Sequence, residues 1–328
     1  MALATEINKS GMHNQILYTD QDAKNELYKC AICPRLCNVN RVNEASGYCN
    51  TNAGFNISTI CIHKGEEPVI SGIHGICNVF FSHCNLQCIF CQNYQISQNG
   101  TNIHNIGTLE QITEKIIACL DQGCNSVGFV SASHMVPQMI LIINALHGLE
   151  RYPTIIYNSN GYDKVETLKK LEGIIDIYLP DFKYSDNTLG MAFSKVKDYP
   201  EVALAALKEM YRQMGPTLIT DENEVAVRGM IIRHLVLPGQ IENSINSLRL
   251  IEREISSKVC ISLMAQYYPV AGVIGHPTLG RSITLEEYEV VCNEMEKLGF
   301  INGWIQELES NKEYLPDFDS IHPFEKTA

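Results

Sequence analysis

The 328-residue chain has no uninterrupted apolar run of the ~18 residues that a membrane-spanning helix needs. Its first twenty residues also lack the basic start and the apolar stretch of a signal peptide. These two absences predict a cytoplasmic protein that does not contact a membrane. Internal repeats and low-complexity segments are missing as well. The length allows either one large domain or one domain with a small appendage.

Positive charge is scarce, since 25 Lys and Arg residues stand against 37 Asp and Glu residues, for a net charge of −12. Proteins that bind nucleic acids draw most of their affinity from Lys and Arg on phosphates. The shortage of positive charge therefore argues against nucleic acid as a partner. The acidic residues are scattered along the chain and predict a solvated acidic surface.

Cysteine, by contrast, is abundant, with 13 residues, nine of them between Cys30 and Cys91. In a long chain without an export signal, clustered cysteines favour metal binding over disulfides. The other four stand singly or in apolar surroundings, where we expect ordinary buried thiols. These are Cys119, Cys124, Cys260 and Cys292.

The most informative cysteines are Cys84, Cys88 and Cys91, in the run Cys-Asn-Leu-Gln-Cys-Ile-Phe-Cys. Three thiolates on one short loop can hold three irons of a cubane 4Fe–4S cluster. The fourth iron is then free to take a small molecule. The competing interpretation is a structural zinc site, which needs four protein ligands and would have to recruit the adjacent His83.

Short apolar runs alternate with helical segments from residue 76 onward, which indicates a parallel sheet. We predict strands at 78–82, 126–131, 154–157, 174–179, 230–237 and 259–265. We predict helices at 108–122, 136–149, 163–171, 199–214, 244–256 and 285–298, with Thr108 and Gln111 as a capping box and Asp163 as a cap.

Six strand–helix units fall short of the eight that close a barrel. The predicted fold class is therefore α/β, a partial (β/α)6 TIM-like barrel. We expect a small cysteine-rich lobe at 1–75, the barrel at 76–300 and a carboxyl-terminal extension at 301–328. Polar residues follow the predicted strands, where barrels build their active sites.

The cysteine run, with Phe90 before its last cysteine, resembles the signature of the radical S-adenosylmethionine (SAM) superfamily. The likeness is strongest to pyruvate formate-lyase activating enzymes and their relatives. Asp181-Phe-Lys183 looks like the Asp-x-Lys of those enzymes, and Arg233 to Gly239 looks like their Arg…Pro-Gly text. Asn158 to Gly161 stands where they carry Thr-Asn-Gly, whereas Ser131-Ala-Ser-His134 replaces the Gly-Gly-Glu-Pro of many members.

The resemblance implies that SAM chelates the fourth iron and is cleaved reductively to a 5′-deoxyadenosyl radical. It implies a cofactor site at the strand ends, with Asp181 and Lys183 as the candidates for catalysis. The candidates for cofactor contacts are Ser131, Ser133, His134, Asn158, Asn160, Asp181, Lys183 and Arg233.

The resemblance also suggests what the radical acts on. We expect hydrogen abstraction from a glycine of a partner protein, a glycyl radical enzyme, with flavodoxin or ferredoxin as the reducing partner. Another peptide, a small metabolite or an RNA base are the alternative substrates. A metal-binding protein without catalysis is disfavoured. The triad leaves one iron without a protein ligand, and polar residues stand at the ends of the predicted strands.

A second cysteine set precedes the predicted barrel, at Cys30, Cys33, Cys37 and Cys49. Its spacing is typical of a metal site. Zinc would fold this short lobe, which has little core of its own. A second iron–sulfur cluster is one alternative, and four free thiols without a metal are the other. Cys61 and Cys77 could substitute within the set.

Overall fold

The computed structural model describes residues 18–102, 107–308, 315–320 and 322–324. The start of the predicted lobe and parts of the predicted carboxyl-terminal extension lie outside these residues. Nine strands are present in the described residues. They are β1 (Ile57–His63), β2 (Ile76–Phe81), β3 (Ser126–Val130), β4 (Thr154–Ser159), β5 (Ile177–Pro180), β6 (Ile219–Thr220), β7 (Ala226–Leu235), β8 (Cys260–Met264) and β9 (Gly303–Ile305).

The strands form one mostly parallel sheet in the order β1-β2-β3-β4-β5-β7-β8-β9. Within it β1 runs antiparallel to β2, and the short β6 pairs antiparallel with β7. No pairing joins β1 to β9 in the described residues, so the sheet curves without closing. The predicted α/β fold with an open, partial barrel is confirmed. The prediction lacked β1, β6 and β9. Strands β6 and β9 have only two and three residues, and β1 precedes the region in which strands and helices alternate.

Ten α-helices accompany the strands in the described residues. They are α1 (Asp20–Tyr28), α2 (Pro68–Ser71), α3 (Tyr94–Ser97), α4 (Leu109–Asp121), α5 (Val136–Gly148), α6 (Val165–Lys170), α7 (Asn187–Ser194), α8 (Tyr199–Met214), α9 (Ile241–Glu254) and α10 (Leu285–Lys297). The capping box of α4 is confirmed, since Thr108 accepts from the Gln111 backbone N–H while the Gln111 side chain accepts from that of Thr108.

The predicted cap of α6 is wrong. The helix begins one residue after Lys164, which has no side-chain cap, and Asp163 turns inward instead. There its carboxylate accepts hydrogen bonds from the Tyr157 hydroxyl at 2.8 Å and from the Ser159 hydroxyl. Two buried hydroxyls at the end of β4 hold this carboxylate, and burial raises its pKa.

The main hydrophobic core lies between the sheet and the helices that cover its outer face. Strand β2 is buried along its whole length, as are β3 and β5, which is typical of strands covered on both faces. Helices α4 and α5 contribute the apolar residues Ile112, Ile116, Met139 and Ile143 to this core. Among the described residues, no helix has both the length and the apolar character needed to cross a membrane.

The cysteine-rich segment before β1 is built from two tight turns held by isolated backbone bridges. Cys30 pairs with Val39, and Ser46 pairs with Thr51. The sequence between them contains little regular structure. Strand β1, which falls within the predicted lobe, hydrogen-bonds directly to β2 and so extends the main sheet. The division into lobe, barrel and extension stays a prediction.

Candidate functional site

A cavity of about 500 Å³ opens at the carboxyl ends of the parallel strands. Its volume falls within the ~300–1,000 Å³ of small-molecule and cofactor sites. All three cysteines of the predicted triad face it, together with polar residues from several strand ends. Among the lining residues are Cys84, Cys88, Cys91, Ser131, Asn158, Asn160, Asp181, Lys183 and Arg233.

The cysteine loop begins directly after β2 and is fixed by its neighbours. His83 has a left-handed backbone with φ of 66°, which turns the chain out of the strand. The backbone N–H of Cys84 donates to the Asn99 side chain at 3.0 Å. Farther along, the N–H of Ile89 donates to the Phe193 carbonyl at 2.9 Å. The loop is therefore held at both ends by contacts outside itself.

Each of the three sulfurs has a hydrogen-bonding partner from the protein. The Cys84 sulfur accepts from the Leu86 backbone N–H and from the Asn160 side chain, both at 3.3 Å. Cys88 lies 2.9 Å from the Ser194 hydroxyl, and Cys91 accepts from Ser97 at 3.2 Å. Donors to cysteine sulfur stabilise the thiolate and tune the potential of a bound cluster.

Burial disfavours the thiolate form of all three cysteines. It raises the pKa of Cys84 to about 12 and that of Cys88 to about 11, and it also raises the pKa of Cys91. Lys183 acts in the opposite direction on Cys88. Because metals bind thiolates, loading this loop must release protons.

In the described residues, no three His, Cys, Asp or Glu side chains stand in finished metal-binding geometry. The assignment of the three thiols to one site rests on their spacing, their shared cavity and their mutual effect on pKa. A cysteine side chain has a single χ1 torsion, so rotation alone can bring neighbouring thiols onto one group.

Asp181 and Lys183 follow β5 and form an ion pair at the cavity wall, with Lys183 Nζ 2.5 Å from Asp181 Oδ2. Both side chains are largely buried. Burial opposes the charge of Lys183, yet the carboxylate of Asp181 and the neighbouring Cys88 leave the pKa of its ammonium above the ordinary value. The pair therefore places a fixed positive charge beside a cysteine of the triad.

Arg233 also lines the cavity, but its guanidinium is engaged by two glutamates. Its Nε donates to Glu67 at 2.8 Å, and its Nη2 pairs with Glu66 and Glu67. Glu66 accepts a further hydrogen bond from Asn78 at 2.9 Å. Burial alone would raise the pKa of Glu66, and Arg233 holds it well below its usual range. This network forms a charged layer inside the barrel.

The polar residues after β3 and β4 divide into two groups. Ser131, Asn158 and Asn160 line the cavity, and Ser131 has a left-handed backbone with φ of 52°. Ser133 and His134 do not line it and are almost completely buried. Burial lowers the pKa of His134 to about 3, so its ring is neutral near pH 7.

His83 is not available as a fourth ligand of the triad. Its Nδ1 lies 2.8 Å from the Cys49 carbonyl oxygen, and its Nε2 lies 3.0 Å from that of Thr101. Both ring nitrogens are thus used on the backbone. This arrangement disfavours the zinc interpretation of the triad and ties the cysteine loop to the segment before β1.

The second cysteine set converges on a separate, small cavity. Its four cysteines line this cavity together with Arg35 and Arg41. Burial raises the pKa of Cys33 to about 12, and the nearby Cys49, Cys30 and Cys37 add to the effect. The structure thus brings together all four members that the spacing predicted.

Cys61 and Cys77, named above as substitutes for that set, lie elsewhere. With Cys119 and Cys124 they form a group of thiols near the start of β2. Cys77 and Cys119 are hydrogen-bonded to each other, and Cys124 donates to the His74 carbonyl at 3.8 Å. Thiols that donate in this way behave as ordinary neutral core residues.

Several cavity residues were missed from the sequence. Glu66 and Glu67 precede Pro68 in a loop that carries no recognised motif, and Gln306 and Phe324 come from beyond the last predicted helix. The predicted alternation of strands and helices identifies as candidate site residues only those that directly follow a predicted parallel strand, and these four residues do not. A buried Arg such as Arg233 does signal that carboxylates must be near.

Comparisons with known proteins agree with the position of the cysteine loop. Residues 78–248 match the family model described as "Radical SAM superfamily". A relative from Methanocaldococcus jannaschii, "Uncharacterized protein MJ0674", is 32% identical over 280 residues, which cover 84% of this chain and 76% of the relative.

Among solved structures, SuiB of Streptococcus suis bound to the precursor peptide SuiA has 13% sequence identity and a TM-score of 0.47. That match covers 72% of this chain and 49% of SuiB. SuiB bound to S-adenosylmethionine has 14% identity and a TM-score of 0.47, over 69% of this chain and 48% of SuiB. The chain spans about half the length of SuiB.

Proposed function

The chain belongs to the radical SAM superfamily, and on that premise we propose that it cleaves SAM reductively to abstract hydrogen from a protein glycine. Membership implies an enzyme with a 4Fe–4S cluster and SAM. The observation that carries the proposal is the shared cavity of about 500 Å³, onto which Cys84, Cys88 and Cys91 open beside Asp181 and Lys183.

The residues present fit both groups. Three sulfurs with hydrogen-bonding partners suit three irons, and the cavity volume suits a cofactor of this size. When bound, the cluster and SAM supply one-electron cleavage of the sulfonium carbon–sulfur bond, giving methionine and a 5′-deoxyadenosyl radical that removes a substrate hydrogen atom.

The chain itself supplies ligation, charge and exclusion of water. Lys183 would bind the carboxylate of SAM, and Asp181 would accept from its ammonium or a ribose hydroxyl. Asn158, Asn160 and Ser131 would add polar contacts from the neighbouring strand ends. The side chains of Ser133 and His134 are buried away from the cavity, so these two residues would contact SAM through the backbone of their turn rather than through their side chains.

Phe90 would shield the cluster from water. Its ring is buried beside the loop and packs against Phe193 and Tyr267, at centroid distances of 6.4 Å and 6.1 Å. Arg233, fixed by Glu66 and Glu67, would present a rigid polar wall rather than a free guanidinium. The contact of Arg233 with SAM remains part of the proposal.

A glycine of a glycyl radical enzyme is the target that the Asp181-Phe182-Lys183 text supports, through its likeness to activating enzymes. Flavodoxin or ferredoxin would provide the electron. Another peptide or a small metabolite is the second candidate. The residues that would form the radical are the same for every one of these substrates, so they do not distinguish between them. The net charge of −12 disfavours RNA.

Substitution of a triad cysteine tests the central reaction. Anaerobically reconstituted protein should bind about four irons at the triad and release 5′-deoxyadenosine when reduced in the presence of SAM. Cys88→Ala should lose both properties, whereas Cys292→Ala, on α10, should keep them. The proposal fails if Cys88→Ala releases 5′-deoxyadenosine at the rate of the unaltered protein.

Isotope transfer tests the glycine assignment separately. A candidate glycyl radical enzyme containing α,α-dideuterated glycine should pass deuterium into 5′-deoxyadenosine and develop a glycyl signal in electron paramagnetic resonance. If SAM is cleaved at the same rate with and without each candidate, and neither deuterium nor signal appears, the glycine assignment is overturned. The superfamily reaction would stand in that case.

A further inference from the structure

We propose that Cys30, Cys33, Cys37 and Cys49 hold a single zinc ion as four thiolates, and that buried Arg41 and neighbouring Arg35 balance its charge. The inference does not depend on which substrate the radical attacks. It commits to one metal, where the spacing alone left zinc, a second iron–sulfur cluster and free thiols open.

The first observation is that every sulfur of the set has a hydrogen-bond donor beside it. Arg41 Nη1 donates to Cys30 at 3.4 Å, and the Tyr48 backbone N–H donates to Cys37 at 3.3 Å. The Arg35 backbone N–H donates to Cys33. The Thr51 hydroxyl lies 3.1 Å from Cys49.

The direction of the last contact follows from its neighbours. Arg41 Nη2 donates to the Thr51 hydroxyl oxygen at 2.6 Å, so the hydroxyl proton is free to point toward Cys49. Each of the four sulfurs therefore has a donor beside it, as four thiolates bound to one metal ion would need. The Cys77 and Cys124 thiols, by comparison, are themselves donors or partners of another thiol.

The second observation is the unbalanced charge of Arg41. It is only 1% exposed, yet no Asp or Glu in the described part of the chain forms an ion pair with it. Its neutral partners are the carbonyls of Thr51 and His134, at 3.1 Å and 2.9 Å, and the Met135 sulfur. A buried cation is costly unless negative charge lies near, and the four cysteines are the groups that can supply it.

Arg35 adds a second cation on the same cavity. It lies over the Tyr48 ring, 3.5 Å from the centroid, and its buried Nη2 has no hydrogen-bond partner. Four thiolates and one zinc ion leave two negative charges in excess. The two guanidinium groups match that excess.

The third observation is size. The cavity between the cysteines measures about 10 Å³, roughly the space of one water molecule. One zinc ion fits such a space, with zinc–sulfur distances of about 2.3 Å. A cubane with four irons and four sulfides needs far more space than this cavity offers. This difference favours zinc over a second cluster.

The zinc site would also order the cofactor site, because its surroundings hold the catalytic loops. Arg35 Nε donates to the Asn85 carbonyl at 2.9 Å, next to Cys84. Arg41 holds the His134 carbonyl in the turn after β3. His83 contacts the Cys49 carbonyl. Loss of zinc should therefore loosen both the cysteine loop and that turn.

Metal analysis of the full chain, purified anaerobically, tests the assignment. We expect about one zinc per chain in addition to the triad iron, and X-ray absorption with four sulfur neighbours at about 2.3 Å. A zinc content below about a tenth of an equivalent, or about four extra irons per chain, would overturn it. This measurement uses the unaltered protein and does not depend on the folding of a variant.

Variants then assign the ligands. Cys37→Ser should lower the zinc content at least tenfold after dialysis against a chelator, with triad iron retained, whereas Cys292→Ser should keep both metals. Arg41→Met should release zinc to the chelator about tenfold faster, and the exposed Arg253→Met should not. Equal zinc retention in Cys37→Ser and Cys292→Ser would remove Cys37 from the site and refute the four-thiolate model.

Hydrogen exchange tests the link to the cofactor site. Zinc-stripped protein that keeps its triad iron should exchange faster at residues 82–101 and 131–135 than the zinc-loaded protein. Residues 285–297 of α10 serve as an internal reference. Equal exchange in the two forms at the cysteine loop would show that zinc does not order it.

Discussion

Lys183 and Asp181 place a positive and a negative charge beside Cys88, in a part of the cavity where water is scarce. A charge in such surroundings acts more strongly than it would at the surface. Lys183 lowers the pKa of Cys88, so it favours the thiolate as well as any carboxylate that enters the cavity. One side chain would therefore serve both groups of the proposed cofactor site.

Replacement of Lys183 by Met should weaken SAM binding about ten- to hundredfold, because a buried hydrogen bond to a charged group is worth ~1.5–3 kcal/mol. The iron content should change little, since the three cysteines remain. Calorimetric titration of the anaerobic, cluster-loaded protein measures the effect.

The exposed Lys197→Met is the matched control, because it removes the same charge from the surface. Equal dissociation constants for the two variants would mean that Lys183 does not contact SAM. A loss of iron in Lys183→Met alone would assign the residue to support of the cluster loop instead.

Candidate site residues can be grouped from the sequence where a short spacing along the chain brings their side chains together. The triad and the second set are of this kind, since a few residues of chain bring their thiols together. Glu66 and Glu67 are of the opposite kind. They lie far from Arg233 in sequence and meet it only because β1 folds back along β2. Asp163 was misassigned because an Asp before a helix is a cap only when its side chain stays outside.

At the scale of elements, the parallel strands and main helices were predictable because each has a periodicity of its own. The edge strands β1 and β9 lack such a signal and depend on their neighbours for pairing. Gly161 illustrates how the elements constrain each other. It has φ of +82°, and a Cβ there would collide with the Asp181 carbonyl oxygen, so the ends of β4 and β5 can approach closely only with glycine.

At the scale of the molecule, Phe324 near the end of the described residues lines the cavity, and Phe318 packs against it. Phe318 and Phe324 pack against Phe80, with centroid distances of 5.2 Å and 5.7 Å, and Phe324 also lies 4.0 Å from the His63 ring. Gln95, on α3 after the cysteine loop, donates to Asp317 and Asp319. The end of the described chain is thus attached to the short helix that directly follows the triad loop.

Replacing Phe318 and Phe324 together by Ser should expose the apolar wall at Phe80. We expect stronger fluorescence of a dye that binds exposed apolar surface, and a free energy of unfolding lower by roughly 2–4 kcal/mol. Urea titration with the dye present gives both quantities. Ile301→Ser, at a position 88% exposed, should change neither. Unchanged fluorescence in the double variant would show that the two rings do not cover the cavity.

The attachment of Phe324 has a consequence for biosynthesis. A ribosome makes the cysteine loop early and residues 315–324 only after the whole sheet has been translated. Until then Phe324 cannot cover its side of the cavity, so the cavity takes its final form only after the last strand has been made.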